Sequence, residues 1–273
     1  MAEQMDARGE QPPVLTVDVG NTTTRLGVFC TDEIRGTWEL TTPASLTADE
    51  VYAQVVHALD MLGIGAPHDA ILACVVPSLT DAWRQALTRA CMGRVYVVGP
   101  GLKTGIPMRC DDPSEVGADR VADAVAARAS YGAPVVVVDL GTTTTIEVVD
   151  ADGAFAGGVI APGVALGARS LAAAAARLPV IELRAPSSVI GRNTCSAMQS
   201  GVVLGEVARI DGLVDAVMRE LGAAAPVVVT GDGASGLAPL LAHETVLDEA
   251  LTLRGLHAIW KYNVKRGRGV ARE

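Results

Sequence analysis

The feature that most constrains this chain is an internal echo. Asp18-Val-Gly-Asn-Thr-Thr-Thr24 and Asp139-Leu-Gly-Thr-Thr-Thr-Thr145 each follow an apolar run, Val14-Leu-Thr-Val17 and Val135-Val-Val-Val138. An apolar run that stops at Asp-x-Gly reads as a strand ending in a tight turn. Gly20 and Asn21 permit positive φ in such a turn. The β-branched threonines beyond it favour re-entry into a strand over a helix start. Two copies, both at strand ends, point to a duplicated architecture, and 273 residues suit about two domains.

The remaining pattern alternates strands and helices, the grammar of an α/β protein. Thr47-Ala-Asp-Glu50 is a capping box, with Val51, Val55, Leu59 and Leu62 at helical spacing behind it. Residues 70–76 and 95–98 read as strands, 77–92 as a helix, and 114–128 as a helix entered through Asp111-Asp112-Pro113. The uninterrupted apolar run 135–138 reads as a central strand. In the second half, strands 143–149 and 154–160 flank the turn 150–153, a long helical pattern covers 194–221, and strand 227–229 ends in Thr230-Gly-Asp-Gly233. A last helix over 248–263 carries Leu253, Leu256 and Trp260 on one face. The expected organisation is a flexible extension at 1–13, a first domain at 14–128, a second at 129–264 including the last helix, and a basic tail at 265–273.

Composition removes several function classes. With 22 Lys plus Arg against 31 Asp plus Glu, the formal charge is -9, the reverse of a phosphate-gripping nucleic-acid binder, and aromatics make up only 3%. The five cysteines are scattered and odd in number, which fits a reducing compartment and a cytoplasmic protein. No histidine spacing suggests zinc. The segment 154–176 is poor in charge but rich in Ala and Gly with Pro162 inside it, unlike a spanning helix. No membrane partner is expected. The basic residues from Lys261 onward read as a solvated, frayed terminus.

A carboxylate at the end of a strand lies where α/β proteins place ligands. A hairpin of backbone N–H groups and hydroxyls with an acid at its root suits a phosphate chain and a hydrated cation. For one copy an ordinary hairpin is an equal reading; the pair favours phosphate. A Walker A loop is excluded because the chain has no Gly-Lys dipeptide. Gly231-Asp-Gly-Ala-Ser-Gly236 matches the Rossmann fingerprint, but too little chain follows it for that fold; a glycine turn against an adenosine ring, or a plain strand-to-helix turn, fits better.

In order along the chain come Asp18-x-Gly-Asn-Thr, Gly117-Ala-Asp-Arg120, Asp139-Leu-Gly-Thr, Gly157-Gly-x-Ile-x-Pro-Gly163, Gly191-x-Asn-Thr194 with Met198-Gln-Ser-Gly201, and Thr230-Gly. This set, spanning residues 14–263, resembles the type III pantothenate kinases. The resemblance implies two ribonuclease-H-like domains of the actin, Hsp70 and sugar-kinase superfamily with ATP between them, and a homodimer. It implies that Asp18, Val19, Gly20, Asn21, Thr22, Thr23, Thr24 and Arg25 form the first phosphate loop, with Asp18 near magnesium, and that Thr142 contacts ATP from the second. It makes Asp139 the ligand of a monovalent cation, potassium or ammonium. Cys110, Gly117, Ala118, Asp119, Arg120 and Thr194 would meet pantothenate, with Asp119 as catalytic base.

The residue chemistry agrees in part. A carboxylate commonly accepts the acceptor hydroxyl's proton in phosphoryl transfer, and Arg120 offers a charge for a carboxylate substrate. Both can serve one site only at a helix start or bend; without the motif, a solvated helix face is the better reading. Cys110 stands where the family usually has tyrosine, and Arg25 where it usually has lysine. The function implied is ATP-dependent phosphorylation of pantothenate. The alternatives are a non-catalytic regulatory homologue and a superfamily kinase for a sugar or acetate.

Overall fold

The computed structural model describes residues 12–175 and 177–270. The extension expected at 1–13 therefore lies almost wholly outside the described residues, as do the last three residues of the expected basic tail. The chain forms two compact units. One comprises the residues up to Gly105, Asp112–Ala126 and the chain from Thr252; the other comprises Ile106–Asp111 and Ala127–Leu251.

The first unit holds β1 (Val14–Val19), β2 (Thr23–Cys30), β3 (Glu33–Thr41), α1 (Ala48–Met61), β4 (Asp69–Cys74), α2 (Pro77–Ala90) and β5 (Val95–Val97). Its sheet runs β3-β2-β1-β4-β5, with β1 antiparallel to β2 and parallel to β4. Helix α3 (Ala118–Tyr131) starts in this unit. The second unit holds β6 (Val135–Leu140), β7 (Thr143–Val149), β8 (Phe155–Pro162), α4 (Val164–Ala174), α5 (Thr194–Gln199), α6 (Gly205–Leu221), β9 (Val227–Thr230), α7 (Ala234–Leu237) and β10 (Thr245–Leu247). Its sheet reads β8-β7-β6-β9-β10, again with an antiparallel hairpin on one side of the central strand and a parallel strand on the other. The two sheets share one topology, and the two Asp-x-Gly turns occupy the same place in each.

The central strands are apolar because both faces are covered. Val14, Leu15 and Val17 are buried, as are all four valines 135–138. In the first unit Leu15, Val17, Leu26 and Leu72 pack with Val51, Val55, Leu79 and Trp83 of α1 and α2. In the second, Val136, Val138 and Val229 pack with Val207, Ile210 and Val214 of α6. The Thr47–Glu50 capping box that starts α1 forms as expected.

Helix α8 (Leu251–Val270) closes the chain. The sequence grouping sets it with the second half, but from Thr252 its contacts lie in the first unit. Trp260 Nε1 donates to Asp69 Oδ2 at 2.9 Å, and the His257 ring stacks on Phe29 at 4.2 Å. Gly27 and Gly255 make this packing possible. A β-carbon at Gly27 would meet Leu253 Cδ1 at 3.0 Å, and one at Gly255 would overlap the Ala122 backbone of α3. The helix backbone continues to Val270, through residues assigned to the tail.

Three further details differ from expectation. The helix expected from residue 114 starts at Ala118, because Asp112 accepts from Ser114 N at 2.8 Å and closes a separate 3-10 turn at Pro113–Glu115. Strand β3 has no fully buried side chain and so lacks a strong apolar signature. The 194–221 pattern is continuous but contains a π turn at Ser200–Leu204 between α5 and α6. Among the described residues no helix is long and apolar enough to cross a membrane.

Candidate active site

The first hairpin sets Asp18 at the carboxyl end of β1, directly opposite Arg25 of β2, with Val19 opposite Thr24. Gly20 N donates to Thr23 O at 3.0 Å and closes the turn through Asn21 and Thr22. The positive φ that Gly20 and Asn21 would permit is not used. Glycine is needed for space instead: a β-carbon at position 20 would lie 2.8 Å from Thr23 O, a backbone atom with nowhere to go. The Thr24 hydroxyl lies 2.7 Å from that of Thr42, and Arg25 Nε donates to Glu39 at 3.4 Å. Asp18 is half-buried, while Asn21 and Thr22 are exposed at the apex of the turn.

The second hairpin repeats this design one residue shorter. Asp139 pairs with Thr145 and Leu140 with Thr144, and Gly141 N donates to Thr143 O at 3.0 Å. Thr142 therefore sits at the apex. Two glycine segments from elsewhere in the unit close around it. Gly163 N donates to Thr142 O at 3.2 Å, and a β-carbon on Gly163 would lie 2.5 Å from Gly141 O and 2.7 Å from Thr142 O. Gly231 follows β9 at φ +93, and a β-carbon there would overlap Asp139 Oδ1 and lie 2.7 Å from Leu140 N. Gly233 N then donates to Leu140 O at 2.9 Å. The GxGxxG match is thus a strand-to-helix turn ending in the four-residue α7, wrapped on the hairpin at Asp139. Glycine is required because backbone packs on backbone.

Asp119 and Arg120 fall in the first turn of α3, which begins with Val121 N donating to Gly117 O at 3.1 Å. This is the helix start that the pair needs to act together. Asp119 Oδ1 accepts from Arg120 N at 2.8 Å, and a β-carbon on Gly117 would overlap that same oxygen. Desolvation raises the Asp119 carboxyl above its usual range; the Arg120 amide and charge oppose the shift and are outweighed. A half-buried carboxyl whose pKa is raised above the ordinary aspartate range, in a helix's first turn, is a stronger base than a solvated aspartate and a candidate proton acceptor.

Cys110 is a half-buried free thiol in the second unit, after Arg109, whose N donates to Phe155 O at 2.8 Å. Ala118 opens α3 in the first unit. Thr194, also in the second unit, is the exposed first residue of α5. Asn193 caps it, accepting from Ser196 N at 2.9 Å, and a β-carbon on Gly191 would overlap the Ala197 backbone. The Gly-x-Asn-Thr motif is thereby explained as a tight entry into a capped helix.

Among the described residues no group of three or more His, Cys, Asp or Glu could hold a metal ion. Asp18 and Asp139 each offer one carboxylate at a strand end. That donor set fits a cation whose other ligands are phosphate oxygens and water. Sequence reasoning missed Glu206 and Arg209 on α6. Glu206 is buried and accepts from Thr144 Oγ1 at 2.6 Å; its only sequence signal is an acid and a base three residues apart on an otherwise apolar helix face.

Two copies of this sheet, each with an acid at the root of a Gly/Thr hairpin, define the two-domain fold of actin-like ATPases. The fold is shared by MreB 5 of Spiroplasma citri, solved with AMPPNP bound, at a TM-score of 0.53 and 11% identity over 94% of this chain and 99% of that one. It is shared equally by the ethanolamine utilization protein EutJ of Carboxydothermus hydrogenoformans, at 0.54 and 16% over 91% and 90%.

Sequence narrows the class. The family model of type III pantothenate kinase matches residues 14–216. Type III pantothenate kinases of Streptomyces coelicolor and Streptomyces griseus are 45% and 44% identical, each over 93% of this chain and 99% of theirs. That of Thermomicrobium roseum is 39% identical over 91% and 96%. The chain belongs to the type III pantothenate kinase family.

Proposed function

We propose that the chain transfers the γ-phosphate of ATP to the primary hydroxyl of pantothenate, giving 4'-phosphopantothenate, the first step towards coenzyme A. The observation that carries the chemistry is Asp119. Its carboxyl is raised by desolvation, its Oδ1 is fixed by the Arg120 amide, and Gly117 leaves room beside it. The carboxylate accepts the acceptor hydroxyl's proton as the new P–O bond forms, while ADP leaves. Arg120 pairs with the pantothenate carboxylate. Gly117 and Ala118 border the same substrate, and Cys110 and Thr194 are pantothenate contacts on the family resemblance alone.

The first turn, from Asp18 through Arg25, is the ATP phosphate loop of its unit, and Thr142 is the ATP contact of the second. Asp18 is the residue that would serve magnesium arriving with ATP, which would supply charge neutralisation at the phosphates. Asp139 is the residue that would hold a potassium or ammonium ion. The chain acts as a cytoplasmic homodimer.

Purified protein given ATP, magnesium, potassium and a mixture of pantothenate, a hexose and acetate tests this reading. Phosphorylated pantothenate as the dominant product is expected. Preferential phosphorylation of the sugar or acetate, or no product at any concentration, would sink it.

A further inference from the structure

Helix α6 reaches the second phosphate hairpin through a charged pair that its apolar face does not need. Glu206 is 5% exposed among Val203, Val207 and Ile210. One carboxylate oxygen accepts the Thr144 hydroxyl at 2.6 Å, and the other pairs with Nη2 of Arg209, one helical turn on. The same Nη2 donates to Pro162 O at 2.6 Å. Thr144 is the β7 residue paired with Leu140, just after the turn that carries Thr142. Pro162 precedes Gly163, whose amide holds Thr142 O. One i, i+3 pair thus grips both strands that fix the apex of the hairpin, β7 through Glu206 and β8 through Arg209. The π turn at Ser200–Leu204 lies immediately before it, and an extra residue in a turn rotates every later side chain around the helix axis.

We infer that Glu206 and Arg209 are positioning residues for ATP, holding the Thr142 turn at the spacing that its phosphate contacts require. The inference rests on the reading of that hairpin as a phosphate loop. A buried carboxylate is tolerated only when paired, and a carboxylate on an apolar helix face is a poor way to stabilise a core. Its two oxygens instead go to a hydroxyl of the hairpin and to Arg209, whose guanidinium also reaches the end of β8. Neither residue touches substrate; both act through backbone that does.

The test compares wild type with Thr144→Val, which deletes the hydroxyl at constant shape, and Arg209→Lys, which keeps the charge but loses the fork. Calorimetric titration with ATP and magnesium reads affinity without turnover, and steady-state kinetics and thermal melting are run alongside. The expected result is a roughly tenfold weaker Kd for ATP in each variant. KM for pantothenate should stay within about twofold, and the double variant should fall short of the sum of the two. Lowered melting temperatures with an unchanged Kd would mean a purely structural pair and overturn the inference, while wild-type turnover left the functional reading intact. Wild-type protein that fails to bind ATP at all would overturn both.

Discussion

Gly117 and Asp119 are fitted to one another: a β-carbon on Gly117 would overlap the Oδ1 of Asp119 that the Arg120 amide holds. The glycine has no positive φ to demand it. Its role is to leave the carboxylate where it is. Gly117→Ala should fold, because the atom in the way is the end of a side chain that can turn aside. Turning aside misplaces the base. A displacement of about 1 Å can lower a rate on the order of 100-fold, so kcat should drop by that order with the melting temperature little changed. A variant with normal kcat would show that the carboxylate's position is unimportant.

The elevated pKa of Asp119 has consequences for rate and stability of opposite sign. As a base it must be ionised, so kcat/KM should fall on the acid side at a pH above the ordinary aspartate value of about 3.9. For stability, a folded-state pKa above the unfolded value favours the folded state at low pH, and that contribution is lost as pH rises through the folded pKa. At neutral pH the ionised, desolvated carboxylate is therefore destabilising. Asp119→Asn should melt at the same temperature as wild type or higher, measured at pH 7. A lower melting temperature would contradict the burial argument.

Gly231 is a position where no relief is available. Its φ of +93 disfavours any side chain, and a β-carbon would meet Asp139 Oδ1 and the Leu140 amide. Gly231→Ala should destabilise the protein by about 2 kcal/mol or more in chemical denaturation, through strain and displacement together. ATP binding should weaken further than stability alone explains, since the displaced strand end carries Asp139. Wild-type stability would refute the close approach.

His257, buried against Phe29, has its pKa lowered to about 4 by desolvation. Here the folded value lies below the unfolded one near 6.5, so the neutral ring's contribution is present above pH 6.5 and is lost as pH falls towards 4. The full acid penalty is on the order of 3 kcal/mol. The difference in unfolding free energy between wild type and His257→Phe should shift in favour of the variant between pH 7 and 4.5. A parallel pH dependence for the two proteins would contradict the shift.

Much of this was legible in the residues, and the failures have physical causes. The paired Asp-x-Gly-x-Thr turns forecast the two hairpins and the repeated sheet, because a strand end, a glycine and a β-branched run are local signals. The reason for Gly20 was not legible: the glycine answers a carbonyl three residues away, in a turn whose φ stays negative. Nor was the placement of α8, since an apolar helix face does not say which sheet it covers; Asp69, Phe29 and Gly27 decide that from far along the chain. Glu206 was hidden for the same reason. Its partners, Thr144 and Arg209, carry no local mark of a network.

The central claim is that Asp119 is the base in phosphorylation of pantothenate. Its most direct test is steady-state formation of phosphopantothenate by wild type and Asp119→Asn, with ATP affinity measured on both. Robust wild-type turnover is expected, with a loss of roughly 100- to 10,000-fold in kcat for the variant and equal ATP binding. Turnover within a few-fold of wild type would contradict it.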